Sequence, residues 1–274
     1  MNSLLEHART LYWPTLQVSW PSMLAAASLA VAGPVVGVFV VLRREALVAL
    51  SMPQIVTLGA ALALRVGWPT LPTALGVVGV ALGLMALSRR RDGTILLLPA
   101  LYVAGVTLSI LLIAGAGAHL IDVQNLFIGI DVAVGEREAV LVAALLLVIA
   151  LVCAVMWRRW LLLAQAPAAA EVANIHPARW TALFLVLFAT VLVLATNSVG
   201  TVLVIAMLFL PAATVLPWVS RIPPALFCAA AVGLISVAAG FILSVEMDWP
   251  LSHSAGGVGF AMFLISHVLA QWRG

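Results

Sequence analysis

The sequence predicts an all-α polytopic membrane protein, a transmembrane bundle of about nine spans with its N-terminus outside and its C-terminus in the cytoplasm. Three observations carry this expectation. Hydrophobic residues make up 65% of the 274 residues and charged residues only 8%, with a mean hydropathy of +1.21. The apolar residues run in continuous blocks, each close to the ~20 residues that a helix needs to cross ~30 Å of hydrocarbon. The arginines gather in every second connector between those blocks. Only helices and closed barrels satisfy their backbone hydrogen bonds in lipid, and continuous runs read as helices.

The first span covers residues 20–42 and carries Gly33-Pro34, a kink that a lipid-embedded helix tolerates when its neighbours re-satisfy the backbone. It stops at Arg43-Arg44-Glu45. The second covers 46–64, interrupted by Pro53, and the third covers 71–87, stopping at Arg89-Arg90-Arg91-Asp92. The fourth covers 94–114. A mixed stretch at 116–138 holds His119, Asp122, Asp131, Glu136 and Glu138, and the fifth span, 139–157, ends at Arg158-Arg159. The least hydrophobic connector follows at 164–179, with Glu171, Ala173, Asn174, His176 and Pro177. On its residues alone this is either a short helix beside the membrane or a solvated loop. Spans at 181–195 and 200–218 come next, then Arg221-Ile222-Pro223-Pro224 and an eighth span at 225–243. A polar loop, 244–254, leads to the ninth at 255–271.

Arg43, Arg44, Arg89 to Arg91, Arg158, Arg159, Arg179, Arg221 and Arg273 fall on one side of this alternation, against Arg9, Arg65 and Arg137 on the other. Cytoplasmic loops carry the excess of basic residues, which orients the chain. The net charge of +3 therefore belongs to helix ends facing anionic lipid, and no nucleic-acid partner is expected. The start lacks a basic segment followed by a small-residue cleavage site, so the first block reads as a retained helix. The whole chain, 1–274, reads as a single membrane domain.

Enzymatic chemistry is excluded motif by motif. The chain has no GxxxxGK[ST] and no Lys to complete one, no HExxH, no GxSxG and no CxxC. The acidic residues all map to helix ends or connectors, which disfavours a proton relay built on a buried carboxylate. Cys153 and Cys228 lie inside apolar blocks and read as free thiols packed as small hydrophobes. No catalytic residue and no cofactor bound by this chain is expected.

Four stretches carry a family resemblance. Gly37-Val-Phe-Val-Val-Leu-Arg-Arg44 resembles G-x-F-V-V-x-R-R, and residues 197–214, ending Pro211-Ala-Ala-Thr214, resemble V-G-x-x-L-x-x-x-x-L-x-x-P-A-A-T-A. Leu126-Phe127 with Gly129 and Ala133-Val134, and Asp248-Trp-Pro250 before a run of small residues, complete the ordered set. The chain resembles the permease subunits of zinc/manganese-type ABC importers over about residues 20 to 270. The resemblance implies a homodimeric permease in the bacterial cytoplasmic membrane, moving a metal ion or metal chelate. It also implies a cytoplasmic ATP-binding cassette subunit that uses the ATP and an extracytoplasmic substrate-binding protein. It makes 164–179 a coupling segment, with Glu171, Ala173, Asn174 and His176 at the ATPase contact.

One departure bears on the substrate. The family shows G-D-x-x-x-H-A on its second helix, where Asp and His share a face; the aligned positions here are Leu50 and Gln54, and the nearest match to a further His on the fourth helix is Pro99. A divalent ion needs carboxylate, imidazole or thiolate ligands, so either the substrate is a chelate or small organic molecule, or other residues bind the ion transiently. Gln54, Ser51 and Asn197 are candidates for an uncharged polar path, or else for hydrogen bonds between helices. His119, Asp122, Glu246, Asp248 and His253 are candidates for a metal entry funnel, or else ordinary loop residues. A transport-inactive scaffold or sensor with the permease fold, and a secondary transporter acting alone, stay open as alternatives.

Overall fold

The structure, a computed structural model, describes residues 12–89, 94–114, 135–165, 170 and 176–272. Each expected span has its helix: α1 (Trp13–Leu42), α2 (Ala46–Val66), α3 (Thr70–Arg89), α4 (Thr94–Ala114) and α5 (Glu136–Val155). After a short helix, α6 (Trp157–Gln165), the chain continues through α7 (Pro177–Val199), α8 (Thr201–Val215), α9 (Ile222–Met247) and α10 (Leu251–Gln271). Eight of these helices are long and apolar enough to cross a membrane, while α8 has 15 residues. At 1.5 Å per residue α8 reaches only about 22 Å.

The spans are apolar on all sides, so no hydrophobic stripe marks which face turns inward. Lipid tails are as apolar as a packed side chain, and helices associate where small residues let backbones approach. α1 follows this rule most fully. Its buried face carries Ala25, Ala26, Ser28, Ala30, Ala32, Gly33 and Gly37, and it packs on α5, α7, α8 and α9. In its most apolar window 78% of residues are buried, against 22% in α3 and in α4, which makes α1 the central helix and places those two at the periphery. A methyl group at Gly37 would collide with the Leu208 carbonyl of α8, and one at Gly105 of α4 would come within 2.8 Å of Gln54 on α2.

The α7–α8 corner has no loop. Gly200 alone joins them at φ 84° and ψ 160°, a region that residues with a Cβ essentially never occupy. Other contacts establish which helix ends lie together. Tyr12, just before α1, donates a hydrogen bond to Glu246 and its ring lies near Phe241, so α1 begins where α9 ends. At the opposite end Arg43 follows α1 and lies over Phe184 near the start of α7. Trp218 Nε1, just past α8, donates to Ser266 Oγ of α10 at 2.6 Å, and that hydroxyl donates to the Thr214 carbonyl at 2.7 Å. These pairings fit helices that alternate in direction along the chain.

α6 is not expected from the sequence as an element of its own. The expected fifth span runs to 157, whereas α5 ends at Val155, Met156 makes a turn, and Trp157 starts a new amphipathic helix. Its Trp160 and Leu163 are buried while Arg158 and Arg159 are exposed.

Candidate functional site

An apolar cavity of about 530 Å³ lies between α2, α8 and α10. Leu47 and Leu50 line it from α2, Ile205 and Phe209 from α8, and His253 and Phe260 from α10. The imidazole of His253 is the titratable group among the lining residues, and its Nδ1 lies 3.2 Å from the neighbouring Ser252 Oγ. His253 stands in the first turn of α10, exposed, held there by its backbone N–H bond to the Pro250 carbonyl at 3.2 Å. Leu50 and His253, far apart in sequence, thus face one cavity.

Gln54 follows Leu50 by one turn but points into the bundle. It is 5% exposed, it packs against Gly105, and its Oε1 has no hydrogen-bond partner among the described residues. An amide oxygen left unpaired in an apolar interior is costly. Ser51 is buried, with its hydroxyl 2.7 Å from the Leu47 carbonyl and 2.9 Å from the Leu98 carbonyl of α4. That geometry latches α2 to α4. Asn197 is exposed near the end of α7 and donates to the Val193 carbonyl at 2.9 Å. Ser51, Gln54 and Asn197 are therefore not drawn to one surface: two serve the α2–α4 contact and the third satisfies its own helix.

Asp248 caps α9 in the left-handed conformation, φ 55°, and is exposed at the turn into α10 that also carries His253. His119 and Asp122 lie outside the described residues, as do Glu171, Ala173 and Asn174. Among the described residues no group of three or more His, Cys, Asp or Glu side chains is assembled. His176, exposed, precedes α7 in an extended conformation, and Pro177 starts the helix. Proline suits that position because its missing N–H would be unpaired there anyway.

A second cluster surrounds the helix ends that bracket the connector. Trp160 of α6 is 1% exposed, with ring centroids of Trp180 and Phe184 at 5.4 and 5.6 Å. Phe184 stacks on Phe188 at 6.3 Å, and the Arg43 guanidinium lies 5.0 Å over its ring. Arg159 lies 4.4 Å over Trp180. Each such cation–π contact contributes about 0.5–2 kcal/mol, more where water is excluded. The Arg43 Nε is 3.4 Å from Glu45 Oε1, and both side chains are nearly buried, at 9% and 12% exposure. The signal for this cluster in the sequence is the spacing of Trp157, Trp160 and Leu163 along one face, which is lost when Arg158-Arg159 is read as the stop of a span.

The ABC 3 transport family model matches residues 16–270, nearly the whole chain. The chain belongs to the ABC 3 transport family. The manganese transport system membrane protein MntC of Halalkalibacterium halodurans is 29% identical over 245 residues, covering 88% of this chain and 83% of that protein. The chelated iron transport system membrane protein YfeC of Yersinia pestis is 29% identical over 138 residues, 50% of this chain and 47% of that protein. The fold is similar to that of a chain of PsaBC from Streptococcus pneumoniae, solved in complex with a Fab, with a TM-score of 0.81, 22% identity, and coverage of 97% of this chain and 95% of that one. This ABC 3 family member is a multi-pass protein of the bacterial cytoplasmic membrane.

Proposed function

We propose that the chain is the permease subunit of an ABC importer, moving a metal ion or metal chelate with ATP hydrolysed by a separate cytoplasmic subunit. The observation that carries this reading is the family match along 16–270, joined to relatives named for manganese and chelated-iron transport. The chain works as one membrane domain, holds no catalytic residue, and binds no cofactor itself. Its partners are the ATP-binding cassette subunit, an extracytoplasmic binding protein and a second copy of the chain. The N-terminus lies outside and the C-terminus in the cytoplasm, an orientation supported by the arginines at the ends of α1 and α3, in α6 and at the starts of α7 and α9. Segment 164–179 docks the ATPase, through Glu171, Ala173, Asn174 and His176.

Between the two substrate forms, the cavity favours the chelate. Stripping water from a bare divalent ion requires charged or imidazole ligands in compensation, and Leu47, Leu50, Ile205 and Phe209 supply none. A chelate carries its ligands with it and presents an organic exterior, which suits apolar walls with one imidazole. His119, Asp122, Asp248 and His253 form the entry; a path through Gln54, Ser51 and Asn197 is not supported, since Ser51 and Gln54 serve the α2–α4 contact and Asn197 bonds its own helix.

The experiment is ATP hydrolysis by the chain reconstituted with its ATPase subunit and binding protein, titrated with free manganese, free zinc and ferric chelates. Stimulation by a chelate and none by the free ions is the expected outcome. Stimulation by free manganese or zinc alone would reverse the substrate assignment and turn attention to His119, Asp122, Asp248 and His253. No stimulation by any of them, with the complex assembled, would favour the scaffold or sensor.

A further inference from the structure

The cluster around Trp160 joins the two helices that bracket the connector to the central helix. We propose that Arg43, Trp160 and Phe184 form a joint through which movement at the connector reaches α1 and then α8, making them positioning residues for nucleotide-driven transport. The proposal rests on the reading of the connector as the ATPase contact.

Three observations support the joint. α6 ends at Gln165 and α7 starts at Pro177, so the chain leaves for the connector and returns from it through the helices that carry Trp160 and Phe184. Both rings are 1% exposed and in mutual contact. Close-packed rings cannot be displaced singly, so α6 and the first turns of α7 move as one body. Arg43, the residue after α1, lies on that body through its guanidinium over Phe184, with Glu45 closing its outer side.

The far end of the lever is equally direct. Gly37 and Gly33 bring the α1 backbone against Leu208 and Met207 of α8. The neighbouring α8 residues Ile205 and Phe209 line the cavity. Between the joint and α2, Arg44 holds φ 57°, a left-handed conformation that is strained for a side chain with a Cβ. Strain of this kind persists where the surroundings enforce it. The α1–α2 corner is thus held in this conformation by its surroundings, with the rings of the joint beside it.

The test uses the complex with its ATPase subunit. Spin labels replace Leu47 and Phe260, exposed on α2 and α10 across the cavity, in a Cys153→Ala, Cys228→Ala background. Dipolar distance measurement during an ATP titration reads the width of the cavity, and co-purification reads ATPase binding. Phe184→Leu keeps an apolar side chain and removes the ring under Arg43. It is expected to raise the ATP concentration for the half-maximal width change by about three- to tenfold with the ATPase still bound. Trp160→Phe, which keeps a ring, retains the parental response. A purely structural role predicts instead a lower melting temperature with an unshifted titration, and that result overturns the proposal. So does a loss of response that only tracks loss of ATPase binding. If Phe184→Leu fails to fold, Arg43→Met removes the charge from outside the helix, with the same two outcomes. A parental chain that takes no ATPase subunit, or whose complex shows no ATP-dependent change, defeats the transport reading before any variant is compared, and the joint falls with it.

Discussion

Gly200 occupies a backbone conformation that no side chain with a Cβ tolerates, at a corner where α7 and α8 meet without a loop. Gly200→Ala is therefore expected to destabilise the protein by about 1–3 kcal/mol, read as a lower melting temperature in detergent. An unchanged melting temperature would mean the corner can relax. Gly105 makes a different demand. A Cβ there would come within 2.8 Å of Gln54, and Gly105→Val would wedge α4 from α2 at a cost of about 1–3 kcal/mol, measured in the same way. Tyr12 supplies a pH-dependent contact. Its hydrogen bond to Glu246 raises the phenol above its ordinary value of 10.0, with lost hydration and the nearby carboxylate adding to the effect. A raised phenol means that the folded state holds the proton more tightly than the unfolded chain. The contribution of the link is then complete below about pH 10 and disappears as the pH rises through the folded-state value. Melting temperature followed across that range is expected to fall more for the parent than for Tyr12→Phe, and parallel curves would dismiss the link.

At the scale of elements, the connector and the helices beside it carry the argument. Bulky acids at Ala173 and Asn174 are expected to dissociate or uncouple the ATPase subunit while the bundle stays folded, as judged by co-purification and melting together. Unchanged binding and transport would move the contact elsewhere. Most helices are legible in the sequence, because a span announces itself by length and apolarity. Their ends are less so: α1 begins at Trp13 and α7 runs on to Val199, beyond the expected 20 and 195. The turns added there carry polar residues, Thr15, Gln17 and Ser19 in one and Thr196, Asn197 and Ser198 in the other, so hydropathy weakens while the helix continues. α6 escapes for the same reason. Two arginines at its start look like the stop of a span, yet they face outward while Trp160 turns in. Of the candidate residues, Ser51 and Gln54 stand out in the sequence as polar groups inside a span, but their attachment to α4 depends on Leu98 and Gly105, about fifty residues away.

For the whole molecule, the orientation is open to direct measurement: a fluorescent protein fused after residue 274 is expected to fluoresce in the cytoplasm, and an N-terminal tag to be reached by protease from outside. The opposite pattern would overturn the assignment from the arginines. The sequence by itself determines the class of the protein and where its apolar spans lie, because crossing lipid depends on a sum over ~20 consecutive residues. Sums of that kind need no knowledge of neighbours. Which faces meet is another matter. In lipid the outer and inner surfaces of a helix are equally apolar, so contact is settled by the fit of small residues such as Gly37 against Leu208 and by the few hydrogen bonds such as Ser51 to Leu98. The cavity shared by Leu50 and His253, and the joint of Arg43, Trp160 and Phe184, arise only when that three-dimensional fit brings distant segments together.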